Sequence, residues 1–165
     1  MEVTRSIPPP GKIGRCKIAL RSIACAAACA TASFAISTLV EELLDKRPEG
    51  NVVYWYTIVA ALGISPFIET FIFQSIPFKW ATQRGLSKPI RLALMSTPFA
   101  LAHYSKGMTA MLEIQFGGLL LAMVYIHWHK AGTTLAFRTT ALAHFLHNGF
   151  TAAYLFHNGA VLALH

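Results

Sequence analysis

Charge is what this chain has least of. Of its 165 residues, 13% are charged, roughly half the ~25% usual in soluble domains. Acidic residues number seven, and only Glu69 and Glu113 fall inside apolar runs. Cysteine is scarce and odd in number: Cys16, Cys25 and Cys29 form neither a CxxC knuckle nor a disulfide framework. Cys25 and Cys29 share a helix face among alanines, where small residues let helices approach closely. The chain has no HExxH motif, which excludes the usual zinc-protease helix. Repeats, low-complexity tracts and a separate soluble domain are also missing. The net charge of +7 invites a nucleic-acid partner. The basic residues, however, sit in loops between apolar runs rather than in one stripe, so no nucleic acid is expected.

Apolar sequence is abundant: 55% of residues are hydrophobic and the mean hydropathy is +0.50. It comes in runs of about twenty residues, the length that spans a bilayer. The expected fold is all-α, a polytopic transmembrane helix bundle of about five spans. Residues 1–21, with Arg5, Lys12, Arg15, Lys17 and Arg21 around a triple proline, read as a basic, disordered cytoplasmic tail. Residues 22–40 carry no charge and read as the first transmembrane helix. A basic front before Ala30-Thr31-Ala32 also resembles a cleavable signal, but the apolar run continues through Phe34, Ile36 and Leu39. Further spans are expected at about 52–78, 92–104, 108–128 and 133–156, making 52–157 a four-helix core. Pro66, with Gly63 and Ser65 beside it, is expected to kink the second span. Lysines and arginines are alternately many and few in successive loops. The positive-inside rule then puts the amino terminus and loops 79–91 and 127–132 in the cytoplasm.

A carboxylate inside such a run is costly and marks function by default. Glu69 lies ten residues from Lys79, His103 twelve from Arg91, and His144 fourteen from Lys130. At 1.5 Å per residue, all three fall about 15–21 Å from the same membrane face. Glu113, fourteen residues from His127, falls in the same layer. His144 and Asn148 are four apart and project from one helix face. His147 is one step round, so it is at most an accessory.

A carboxylate and an imidazole can hold and deprotonate a water. A second imidazole and an amide N–H can stabilise the oxyanion of a tetrahedral intermediate. One Glu with two His (Glu69, His103, His144) could instead bind zinc and leave a position open for water. Glu69-Thr70-Phe71-Ile72-Phe73-Gln74, Phe99-Ala100-Leu101-Ala102-His103 and His144-Phe145-Leu146-His147-Asn148 follow one another in order on apolar segments. In this the chain resembles the CPBP intramembrane proteases, which include CAAX prenyl endopeptidases and bacteriocin-processing or self-immunity proteins. Their motifs are Glu-Glu-x-x-x-Arg, Phe-x-x-x-His and His-x-x-x-Asn.

The resemblance implies an intramembrane endopeptidase acting on a membrane-associated protein or peptide, placed in a bacterial inner membrane with its amino terminus cytoplasmic. It implies that Glu69 and His103 activate water while His144 and Asn148 stabilise the oxyanion, with Phe99 in support. No cofactor is expected from it, and zinc is the fallback. The family's second Glu is Thr70 here and its Arg is Gln74, a neutral pair at the i and i+4 positions of an ion pair. Those two residues are expected to support the first motif. The departures also admit a second reading, an inactive relative that binds a partner as an immunity or scaffold protein. An imidazole-ligated haem or metal carrier is the third.

Overall fold

The computed structural model describes residues 12–43 and 52–163, and among them five helices form an all-α membrane bundle. The first, α1 (Lys12–Leu43), begins directly after Pro10 and Gly11. Residues 12–21, read above as disordered tail, are therefore helical. Good helix formers (Lys17, Ala19, Leu20, Arg21) explain the extension. The rest of the expected tail, 1–11, and most of the charged loop lie outside the described residues.

The second span begins later than its apolar run. Val52–Tyr54 is a short strand (β1) that pairs in parallel with Val161–Ala163 (β2), Val52 opposite Val161. Neither segment reads as a strand beside a long apolar run, but Val-Val-Tyr is β-branched and aromatic, which suits an extended backbone. The chain reverses after the last helix through Gly159, whose φ of +89° favours glycine. The paired strands tie the start of the second helix to the end of the fifth.

That second helix, α2, runs without a gap across Trp55–Gln83. It is widened at Ala60–Ile64 and again at Thr70–Ser75, where hydrogen bonds reach back five residues instead of four. A turn through Gly85 (φ +63°) leads to α3, Lys88–Leu101. A single tight turn, Tyr104–Lys106, precedes α4, Met108–His129. Gly132 then opens α5, Thr133–His157.

Three of these helices are long and apolar enough to cross a membrane: α1 over Lys17–Val40, α2 over Trp55–Gln83 and α4 over Met108–His129. The other two of the five helices fall short of that measure. The 14 residues of α3 reach only about 21 Å. Helix α5 is long enough, but Thr139, Thr140, His144, His147 and Asn148 make it too polar to qualify by composition.

Helix α4 is central, packing on α1, α3 and α5. Small residues on it permit this, since Gly118 and Ala122 are buried. Around them Phe78, Met95, Phe99, Leu121, Tyr125 and Ala143 form the core. On α2 the opposite face exposes Ile64, Phe67, Ile68, Phe71, Ile72 and Ile76. A patch of that size on a soluble monomer would be a liability. On a membrane protein it is the face that meets lipid.

Candidate active site

Most of the candidate polar residues share one cavity of about 350 Å³. Glu69, Phe99, His103, Glu113, His144, His147 and Asn148 all line it. They come from α2, α3, α4 and α5, so the layer inferred from loop charges corresponds to a shared space. Thr70 and Gln74 do not line the cavity. Both are 1% exposed, and Thr70 Oγ1 and Gln74 Oε1 have no hydrogen-bond partner among the described residues. They lie in the widened turn Thr70–Ser75, where about four residues no longer complete one turn, so i and i+4 no longer align as in an α-helix.

Glu69 closes the five-residue α-helical stretch Ser65–Glu69 between the two widened turns. One of its carboxylate oxygens is hydrogen-bonded and the other faces an imidazole. Ser65 Oγ donates to Oε1 at 2.5 Å, and His144 Nε2 lies 3.5 Å from Oε2. Ser65 was not anticipated as a site residue. Its spacing of four from Glu69 was the available signal, obscured by the proline that follows. The carboxylate is 20% exposed and the His144 side chain 6%. The cavity thus reaches the carboxylate, while His144 is seated in the helix packing.

Two backbone carbonyls explain how the other polar groups are aimed. At the end of α3, His103 N–H bonds back only three residues, to Ala100, so Phe99 O loses its helical donor. His103 Nδ1 fills that vacancy at 2.8 Å. A carbonyl only accepts, so Nδ1 carries the hydrogen, and in neutral His103 the lone pair is on Nε2. Asn148 Nδ2 in turn donates to Ala61 O on α2 at 2.8 Å.

Phe99 stands edge-on between the two imidazoles, with ring centroids 5.1 Å from His103 and 5.6 Å from His144. Phe73 packs on it at 5.5 Å. Room for this ring depends on Gly118, where a Cβ would come within 2.9 Å of Phe99 Cδ1. His147 Nδ1 and His144 Nδ1 have no hydrogen-bond partner among the described residues. The fallback zinc ligands, Glu69, His103 and His144, line the same cavity, but among the described residues no three His, Cys, Asp or Glu side chains form a metal-holding group.

Sequence reasoning gave the first helix no part in the site. It forms one wall, where Cys29, Ser33, Phe34, Ser37 and Thr38 line the cavity. Ser33 is buried against Gly117 of α4, where a Cβ would meet its Oγ at 3.1 Å.

Among known families, a model described as type II CAAX prenyl endopeptidase Rce1-like matches residues 51–150. The matched stretch holds Glu69, His103, Glu113, His144 and Asn148 and leaves α1 outside. No curated protein and no solved structure matches the chain.

Proposed function

Because the chain belongs to the Rce1-like family of type II CAAX prenyl endopeptidases, we propose that it is a multi-pass intramembrane hydrolase of the glutamic type. It cleaves a peptide bond of a membrane-associated protein or peptide. The observation that carries this reading is the Glu69 carboxylate, fixed by Ser65 and facing His144 at 3.5 Å within a largely apolar cavity.

In the proposed reaction Glu69 accepts a proton from a water that His103 Nε2 helps to hold. The resulting hydroxide attacks the scissile carbonyl carbon, forming a tetrahedral intermediate. An N–H of His144 and one of Asn148 receive the oxyanion, the kind of fixed donor worth about 10²–10³ in rate. Collapse breaks the C–N bond, and Glu69 returns its proton to the leaving amine. Since Asn148 Nδ2 already donates to Ala61 O, only one of its two N–H groups remains for the oxyanion. No step is routed through a metal.

The family description directs attention to a prenylated carboxyl-terminal peptide as substrate. The cavity suits one: Ile58, Leu62 and Leu155 give apolar lining for a lipid chain. Lys106 also lines it and suits a terminal carboxylate. The lipid bilayer is the other partner, and the amino terminus and loops 79–91 and 127–132 face the cytoplasm of a bacterial inner membrane. The family match gives no support to the inactive-relative reading.

Membranes carrying wild-type protein should cleave a prenylated CAAX reporter peptide, whereas Glu69→Gln, His103→Ala and His144→Ala at equal protein levels should not. Full activity in the Glu69→Gln protein would overturn the mechanism. A chelator should leave cleavage intact. Comparative proteomics of membranes with wild-type and Glu69→Gln protein would identify the substrate.

A further inference from the structure

We propose that Asn148 is a positioning residue that closes a hydrogen-bond gap left in α2 by Pro66, thereby setting the register of Glu69 against His144. The gap follows from three observations. In an ordinary α-helix Ala61 O would accept from the N–H of Ser65. Here Ser65 N–H reaches back five residues, to Ala60 O. The next N–H along the widened turn would be that of residue 66, which is proline and has none. Ala61 O therefore has no donor from its own helix. Asn148 Nδ2 supplies one at 2.8 Å from α5, a separation of 87 residues along the chain.

A bare carbonyl in hydrocarbon is costly, and helix breaks at membrane depth persist only where another group satisfies them. The position of this one matters. Ala61 lies eight residues before Glu69, and Asn148 one helical turn after His144. The bond thus spans the same two helices as the Glu69–His144 contact of 3.5 Å, about a turn away on α5. One polar bond fixes how α2 and α5 sit together; the other contact carries the proposed chemistry. Pro66 itself is buried, so the break faces the bundle and not the lipid.

The inference rests on the reading of Glu69 and His144 as the reacting pair, and a double-mutant cycle separates the two claims. Asn148→Ala, Pro66→Ala and the double variant are assayed in full-length protein for kcat and KM on the reporter peptide, and for thermal unfolding in detergent. Asn148→Ala removes the oxyanion donor and also leaves Ala61 O unpaired, so it should lower kcat by more than the ~10²–10³ of the donor alone, with a lower unfolding midpoint. Pro66→Ala restores a backbone N–H and should stay near wild type. Combined with Asn148→Ala it should recover at least about tenfold of the lost kcat and most of the lost midpoint.

If the double variant is no better than Asn148→Ala by either measure, the positioning role is wrong and Asn148 acts only as an oxyanion donor. If wild-type protein does not cleave the reporter, the enzymatic reading fails. Rescue of the unfolding midpoint by Pro66→Ala would still uphold the bond, and its absence would overturn it.

Discussion

Helices α2 and α4 are both long and apolar enough to cross a membrane, and both carry a glutamate to the same cavity. They are built in opposite ways. Helix α4 is α-helical throughout its 22 residues and contributes closeness, through Gly117, Gly118 and Ala122. Helix α2 is widened twice, each time just before a proline: Ser65 reaches back to Ala60 ahead of Pro66, and Ile76 to Phe71 ahead of Pro77. Widened turns recur at functional sites because they rotate side chains and release backbone groups. In this molecule the regular helix provides packing, whereas the irregular one provides Glu69, the Ser65 hydroxyl and the Ala61 carbonyl. The proposed water-activating carboxylate thus lies where the helix deviates from ideal geometry.

The hardest test of that contrast is the carboxylate between the two widened turns. Glu69→Gln keeps the shape and can still take the Ser65 hydrogen bond, but it cannot take a proton from water. Loss of a general base costs about 10²–10⁴ in rate, so single-turnover cleavage should fall by at least that much at unchanged unfolding temperature. A fall in stability of similar weight would instead make Glu69 a structural residue.

A smaller effect is expected at Ser65. A hydrogen bond to a charged group is worth about 1.5–3 kcal/mol. Part of that is regained when water replaces the hydroxyl, because Glu69 is 20% exposed. Ser65→Ala should therefore lower kcat by about tenfold, and Ser65→Thr should retain most activity because it keeps the hydroxyl. Equal loss in both variants would mean that the space beside Pro66, rather than the bond, matters.

How much of this could be read from the sequence divides along the same line. The membrane bundle, its five helices and the convergence of Glu69, His103, His144 and Asn148 on one cavity were legible, because apolar run length and loop charge constrain depth. Features set by tertiary hydrogen bonding were not. The Val52–Tyr54 strand exists only because Val161–Ala163 returns to pair with it. Phe99 O becomes available to His103 only because His103 N–H bonds back three residues. Thr70 and Gln74 read as a neutral pair at the i and i+4 positions of an ion pair, but their seat in a widened turn, buried away from the cavity, left no signal in the sequence. The first helix lacks any motif, so its wall of Ser33, Ser37 and Thr38 left no signal beyond small polar residues among alanines.

The smallest effects should come from the regular helix, and two adjacent glycines there sharpen the comparison. A Cβ at Gly118 would lie 2.9 Å from Phe99 Cδ1. That ring already touches His103, His144 and Phe73, so any shift of it disturbs all three. Overpacking of this kind costs about 1–3 kcal/mol, so Gly118→Ala should lower both the unfolding midpoint and kcat, the latter because both imidazoles shift with Phe99. At Gly117 the nearest atom is Ser33 Oγ at 3.1 Å, the tip of a small side chain that can rotate away. Gly117→Ala should therefore leave kcat within about twofold, since a surmountable contact costs well under 1 kcal/mol. If Gly117→Ala proves the more damaging of the two, the wall formed by α1 controls the cavity more tightly than the packing of Phe99. The regular helix would then be shaping the substrate space and not merely supporting it.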